Sequence, residues 1–444
     1  MIELSALRRR LLREAAWVFA GQLSSAVGTM VGLRWLTEWV PPSVYGSVAL
    51  ANGVIALAQG LTVGPMMQAV LRFYPEYAAA GAVRALRWQV AASLYKPTLA
   101  VAAGLCVVVS AWSARIGEGA LLGALCAALF LLEVLRTVAV AFLNAAREQR
   151  AMALLVGADA WARPLTAVAM VWLLGANAAA VLWGYDIGAA LVLLFLHLCR
   201  RRRGQLGFPK RPNELSGPIG NRQLWRYAAP LIPLPLCGWV HGQSDRYLLG
   251  VWTGLEAAGL YAALYGLASR PFIMFAAGVE LALRQPYYEK VSAGDRRGEW
   301  RLFWSWLTVV LGGSLVLLLL FLIFHRQLAA LLLAADYRAQ SSLMVWIAAG
   351  YTFSACTQVV ERICYAWHDT RGVLLIQATG AVFSLAVAAP MVSSFGLPGA
   401  AWAAPIYFGI QLIVATVRAR VARLNGQLAI RRAVARPEAE VAHG

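Results

Sequence analysis

Residues 302–324 read LFWSWLTVVLGGSLVLLLLFLIF, an uncharged run closed by Arg301 on one side and His325-Arg326 on the other. As a helix rising 1.5 Å per residue it is about 34 Å long, enough to cross the roughly 30 Å hydrocarbon core of a bilayer. A water-soluble domain has no place for such a segment, and lipid does. Moving outward from it, segments near 14–37, 44–71, 90–112, 120–144, 152–174, 178–199, 227–251, 258–283, 341–364, 372–394 and 398–417 meet the same test. The chain therefore reads as an all-α integral membrane protein of about twelve transmembrane helices. Alternation of apolar and polar residues is not sustained anywhere, and a transmembrane β-barrel requires it in every strand.

Composition agrees. The 444 residues are 60% hydrophobic and 14% charged, with mean hydropathy +0.64, whereas soluble domains carry about 25% charged residues. The net charge of +18 would suit nucleic acid if it were a contiguous patch. Instead the basic residues gather in short runs between apolar segments, so no nucleic-acid partner is expected. With the N-terminus inside, 28 Lys and Arg fall in cytoplasmic connections, against Arg115, Arg326 and Arg338 outside. That bias places both termini in the cytoplasm. Arg8, Arg9, Arg10 and Arg13 precede the first segment, which is too long for a signal-peptide core and is read as a retained helix. Six cysteines lie within or beside apolar segments and four of the five histidines (His197, His241, His325, His368) are scattered over helices and loops, so no metal, disulfide or cofactor is expected.

The longest cytoplasmic connection, 200–226, opens with Arg200-Arg201-Arg202-Arg203 and contains Pro209, Pro212 and Pro218. It reads as a linker between an N-lobe (1–199, helices one to six) and a C-lobe (227–418, helices seven to twelve), with a basic tail over 419–444. The halves repeat. Sliding 143–190 onto 364–411 aligns Arg150 with Arg371, Gly175 with Gly396 and Gly188 with Gly409; residues 40–46 align with 253–259, matching Gly46 to Gly259. An even number of helices per half makes the repeats parallel, and transporters commonly place their substrate site between such halves.

Several ionisable residues interrupt the apolar segments, where each costs about 2.5–3.5 kcal/mol on insertion scales and usually faces a cavity or a partner. Glu133–Arg136 and Asp159–Arg163 have the i,i+3 and i,i+4 spacings of one helical face. They are either cavity-lining charges or structural pairs within a lobe. Asp186 stands on helix six. Arg270 stands mid-helix on helix eight, without an acid within four residues and followed by Pro271. Arg34 and the Asp245–Arg246 pair occupy similar places late in the first helix of each half, where snorkelling to the interface competes with a binding role. Arg72 closes helix two, and anchoring on the cytoplasmic side competes there with substrate intake. Trp35, Trp39 and Trp252 suit interfacial belts, and Gly28-x-x-x-Gly32 and Gly60-x-x-x-Gly64 suit close helix packing.

An ordered set of short motifs carries a family resemblance. It comprises Pro41-Pro42-Ser43-Val44-Tyr45-Gly46, Leu71-Arg72-Phe73-Tyr74-Pro75-Glu76, Ala229-Pro230-Leu231-Ile232-Pro233, Ser244-Asp245-Arg246-Tyr247 with Gly259-Leu260-Tyr261, and Phe395-Gly396-Leu397-Pro398-Gly399-Ala400-Ala401. In this the chain resembles the Wzx-like polysaccharide flippases of the multidrug/oligosaccharidyl-lipid/polysaccharide (MOP) exporter superfamily. The resemblance implies two pseudo-symmetric six-helix lobes in a MATE-like V and a bacterial inner-membrane location. It implies a cargo of undecaprenyl-pyrophosphate-linked oligosaccharide, an O-antigen or exopolysaccharide repeat, moved from inner to outer leaflet by alternating access. It also implies a polysaccharide polymerase and chain-length machinery as partners, besides membrane lipid.

Guanidinium binds phosphate oxygens bidentately and stays charged, so Arg270, Arg163, Arg136, Arg34 and Arg72 are the candidates for a pyrophosphate headgroup. Asp245, Glu361, Glu133, Asp159 and Asp186 are the candidates for coupling to H+ or Na+; Glu361 and Asp245 lie on helices that carry cation-site carboxylates in related drug exporters. Two other functions compete. An ion-coupled multidrug exporter of the same fold predicts an acidic, aromatic cavity, against which the deep arginines weigh. A membrane-embedded glycan polymerase or transferase needs polar catalytic loops, and the outward loop 325–340 offers only Asp336 and His325.

Overall fold

A computed structural model describes residues 2–114, 119–202 and 218–441, with side chains over 16–114, 119–201 and 218–427. Arg8, Arg9, Arg10 and Arg13 as side chains, Arg115, the linker residues 203–217 with Pro209 and Pro212, and the tail beyond 427 lie outside the described side chains. Among the described residues the chain is helical throughout, with no strand.

The helices are α1 (Ile2–Trp39), α2 (Pro42–Thr62), α3 (Gly64–Ala79), α4 (Val83–Ser113), α5 (Gly119–Ala145), α6 (Gln149–Leu174), α7 (Ala178–Arg202) and α8 (Asn221–Ala228). They continue as α9 (Pro233–Trp252), α10 (Leu255–Ser292), α11 (Arg296–Leu332), α12 (Leu343–Ala366), α13 (Thr370–Phe395) and α14 (Leu397–Val441). Eleven of them are long and apolar enough to cross a membrane. The expected twelfth span is α9, whose 20 residues would reach about 30 Å but include His241, Gln243, Asp245 and Arg246.

Two boundaries differ from expectation. The apolar run 44–71 is two helices, because α2 ends at Thr62 and α3 starts at Gly64-Pro65. Proline has no N–H to donate back into the preceding turn, and it restricts the residue before it. Likewise 227–251 is not one helix: α8 ends at Ala228, a 3-10 turn covers Ala229–Leu231, and α9 begins at Pro233. Pro230 and Pro233 impose the same break there.

The repeat is carried by the backbone itself. The helix α6, 149–174, falls on α13, 370–395, with the offset of 221 read from the sequence. Among the described residues the non-glycine positions at positive φ are Arg147 (56°) and His368 (57°), which share that offset, as do Gly175 (87°) and Gly396 (61°) at the ends of the two helices. The earlier part of each half follows the other offset, 213: Gly81 (66°) and Gly294 (69°) close the α3–α4 and α10–α11 turns. These turns require the left-handed region, which glycine enters without steric cost. Ion pairs repeat too. Glu148, at the N-cap of α6, bonds Arg200 at 3.3 Å, and Asp369, at the N-cap of α13, bonds Arg418 at 2.7 Å.

The chain divides into two compact units. One contains 1–239 with the short segments 255–260 and 330–337. Its core runs through Met66, Val70, Tyr77, Leu86, Leu122, Phe130 and Val181. Within it Gly21, Gly28 and Gly32 of α1 lie against Ala153, Trp161 and Pro164 of α6, and Gly60 lies against Pro235. The glycine spacings thus serve intramolecular packing. Gly46 and Gly259 meet backbone to backbone: a Cβ on either would overlap the Leu255 or Pro42 carbonyl. The second unit contains 240–254, 261–329 and 338–444. Its core joins Tyr287, Phe303, Trp306 and Val310 to Val359, Ile363 and Ile376.

Candidate functional site

The two charge pairs expected on separate helices form one buried network. On α5, Arg136 donates to Glu133 from Nη2 at 2.7 Å and from Nε at 2.9 Å. On α6, Arg163 donates from Nε to Asp159 at 2.8 Å. The helices are then cross-linked by an ion pair of Arg163 with Glu133, and Arg136 approaches Asp159 at 3.8 Å. Glu133 and Asp159 are nearly buried, with 8% and 12% of their side chains exposed. Two guanidiniums and two carboxylates compensate one another, which is what makes such burial tolerable in a low-dielectric interior. From α2, Gln59 reaches Thr137 and the Glu133 carbonyl.

Asp186 of α7 adds a third carboxylate. It is buried, and neither of its oxygens has a hydrogen-bond partner; Nη2 of Arg163 is likewise without one. The two interact electrostatically. What brings α7 so close is Gly184-x-x-x-Gly188, a pair of positions where a Cβ would overlap the α6 backbone at Ala167 and Arg163. Thr166 seals the contact by donating to the Gly184 carbonyl at 2.6 Å.

The acidic candidates of the second half are differently housed. Asp245 is buried, and its Oδ2 accepts from the hydroxyls of Tyr261 at 2.8 Å and Tyr407 at 3.2 Å. Oδ1 has no partner, and Asp245 has no ion pair among the described residues. The neighbouring Arg246 points elsewhere, bonding Gln243 and lying 4.8 Å over the Tyr265 ring. Tyr351 in turn donates to Tyr265 at 2.8 Å, and His241 stacks edge-on against Phe408 and Tyr407. Glu361 is buried and accepts from Gln377 at 3.1 Å. Arg362, its neighbour in sequence, pairs instead with Glu280 at 3.1 Å.

The remaining arginines divide by partner. Arg34 bonds the Leu333 carbonyl and pairs with Glu38 at 3.1 Å. Beside it Thr37 accepts from Ala334 N–H at 3.2 Å, and Tyr337 donates to the Val40 carbonyl at 2.8 Å. Arg72 is exposed, pairs with Glu76 at 3.1 Å and lies over the Phe73 ring. Arg270 is exposed on α10 and has neither ion pair nor hydrogen bond among the described residues. It is thus the one arginine of the five whose charge is uncompensated by a described neighbour.

Several contributors are invisible to spacing. Tyr407 lies 162 positions from Asp245, Gln59 lies 78 from Thr137, and Leu333 lies 299 from Arg34. Only the fold pairs them. The one local signal that was legible and passed over is Gly184-x-x-x-Gly188. Among the described residues no three His, Cys, Asp or Glu side chains gather as a metal site.

No curated protein sequence matches the chain. Among solved structures, a lipid II flippase, MurJ, in an inward closed conformation aligns over 94% of this chain and 91% of its own, with a TM-score of 0.68 at 11% identity. A multidrug resistance MATE family transporter of the MOP superfamily aligns in its inward-facing form over 94% and 95%, with a TM-score of 0.62 at 14% identity. The outward-facing form of such a transporter gives 0.61 at 13% identity, over 92% and 96%. These likenesses establish a shared fold. The profile of the polysaccharide biosynthesis protein family matches residues 11–284, well over half of the chain. With the helix order and backbone repeat already described, that match makes this chain a member of the polysaccharide biosynthesis protein family, built on the fold of MOP-superfamily transporters.

Proposed function

We propose that the chain translocates an undecaprenyl-pyrophosphate-linked oligosaccharide from the inner to the outer leaflet of the bacterial inner membrane, with both termini cytoplasmic. The two halves, 1–199 and 227–418 joined by the 200–226 linker, act as lobes that alternate access, and no chemical bond is made or broken. The observation that carries this reading is the polysaccharide biosynthesis family match over 11–284. Arg270 adds a physical reason. A guanidinium left without a partner in an apolar helix costs free energy unless a polar occupant compensates it, and a pyrophosphate does so bidentately. Arg136 and Arg163, each already neutralised, contribute field and shape; Arg34 stands near the end of α1, whereas Arg72 lies midway along α3 (Gly64–Ala79) rather than closing a span. Asp245 is the carboxylate best placed to exchange a proton, because its partners are neutral hydroxyls and one oxygen is free. Glu361, Glu133, Asp159 and Asp186 are the other carboxylates available for H+ or Na+ coupling, and a polymerase with its chain-length machinery would receive the product.

Reconstitution in liposomes with lipid-linked glycans, scoring leaflet transfer, is the test. Wild type should move at least one glycan, Arg270→Ala should move it at least tenfold more slowly, and Arg270→Lys should fall between. Transfer of none of several glycans by wild type defeats the proposal. The second reading, an ion-coupled exporter of organic cations, is favoured by the aromatic box around Asp245. A proton-driven accumulation of cations in inverted vesicles, lost in Asp245→Asn, would support it instead.

A further inference from the structure

At the end of α3 the fold leaves an open cavity of about 500 Å³, within the roughly 300–1,000 Å³ range of small-molecule sites. One wall is Phe73 and Glu76 of α3; the other is Gln223, Arg226 and Tyr227 of α8, with Ile219 at the back. The short α8 that supplies the second wall is amphipathic, with Leu224 and Ala228 buried. It is held rigidly. Asn221 accepts from Ser93 of α4 at 2.7 Å, and the fully buried Tyr77 hydroxyl shares its one proton between the Ile219 carbonyl at 2.5 Å and Gln89 Oε1 at 2.6 Å. Burial pushes the Tyr77 hydroxyl above its ordinary pKa, so it stays a neutral donor.

The lining has an unusual mixture for a structural surface. Phe73 and Tyr227 meet edge to face with centroids 5.5 Å apart, leaving ring area open to the cavity, and Tyr227 is 40% exposed. Beside them stand a carboxylate, a carboxamide and a guanidinium. Arg226 has no ion pair or hydrogen bond among the described residues, while Glu76 is paired at 3.1 Å by Arg72, one turn earlier on α3 and not part of the lining. Flat rings accept the apolar C–H faces of a pyranose, and planar Glu, Gln and Arg groups hydrogen-bond its hydroxyls. Because Arg72 already meets the Glu76 charge, the Arg226 guanidinium is the charge the lining leaves uncompensated. That combination suits neither a purely apolar segment nor a bare phosphate. It suits a sugar bearing a phosphate.

We infer that the cavity between α3 and α8 is a docking site for the sugar-phosphate part of a lipid-linked glycan, occupied before the cargo moves through the membrane. This rests on the flippase reading above and adds a place where the glycan, rather than its lipid, is recognised. Because α8 (Asn221–Ala228) begins within the basic 200–226 linker, the site also lies where the expected topology puts the cytoplasmic surface.

The probes are farnesyl-pyrophosphoryl glycans with three different first sugars, farnesyl pyrophosphate alone, and phosphatidylglycerol. Binding is followed by tryptophan fluorescence, Trp225 lying on α8, with the full chain in zwitterionic nanodiscs. At least one glycan probe should bind, with Tyr227→Ala and Arg226→Gln each weakening it about tenfold or more. Arg222→Gln, exposed on α8 but outside the cavity, should leave binding unchanged. If farnesyl pyrophosphate or phosphatidylglycerol binds as tightly as every glycan probe, no sugar is read and the inference falls. It falls equally if both cavity variants bind as wild type does. In that case leaflet transfer by wild type leaves the flippase reading standing, whereas wild type that neither binds nor transfers any glycan defeats both.

Discussion

Replacing Glu133 by Gln tests whether the α5–α6 network behaves as one buried unit. The carboxylate holds two contacts from Arg136, at 2.7 and 2.9 Å, and a third from Arg163. After the change Asp159 is the remaining bonded carboxylate, 2.8 Å from Arg163 and 3.8 Å from Arg136. Breaking a buried pair from one side costs about 3–5 kcal/mol, because a charge is left uncompensated. Asp159 still serves one guanidinium, and Arg136 is 26% exposed, so the expected loss is about 3 kcal/mol, at the low end. The double variant Glu133→Gln with Arg136→Gln restores neutrality. It should therefore lose less than the two single changes summed, with a coupling of about 1.5 kcal/mol or more. Denaturant titration of the chain in mixed micelles measures this, using the thiol of Cys126, fully buried on α5, as the reporter of opening. If Glu133→Gln lies within about 0.5 kcal/mol of wild type, or the single changes simply add, the network is an exposed-type pair and the reasoning is wrong.

Gly46→Leu drives a side chain into the Leu255 backbone and should abolish the monodisperse folded species in size-exclusion chromatography; an unchanged profile would show that the α2–α10 crossing is loose. Tyr337→Phe removes a buried donor to the Val40 carbonyl and should cost about 1–2 kcal/mol in the same titration, against no change if water replaces it. Asp295 caps α11 through the Gly298 amide, and that bond, with Lys290 beside it, holds its carboxyl below the ordinary aspartate range. Its contribution is therefore complete above the ordinary pKa of about 3.9 and disappears as pH falls through the lowered value. Asp295→Asn should accordingly flatten the acid limb of stability below about pH 4, and a limb identical to wild type would rule the cap out. Single cysteines introduced as Gly294→Cys and Arg338→Cys should label from opposite faces of sealed vesicles; labelling from the same face would overturn the orientation drawn from the arginine bias.

Hydropathy alone made the chain a helical membrane protein, because an uncharged run such as 302–324 has one stable solvent and one way to satisfy its backbone there. The duplication was legible as well, since both offsets were visible in the sequence before Arg147 and His368, or Gly81 and Gly294, were seen to share unusual φ values. Spacing also put Glu133 with Arg136 and Asp159 with Arg163, as helical geometry requires within one helix. Tertiary structure decided everything between helices. It joined those pairs into one compensated network, drew Arg362 to Glu280 rather than Glu361, and surrounded Asp245 with tyrosines far away in sequence. It left Arg270 without a described partner among the five arginine candidates. The physical reason is range: periodicity reports which residues share a face, whereas compensation of a buried charge depends on what the neighbouring helix presents at about 3 Å.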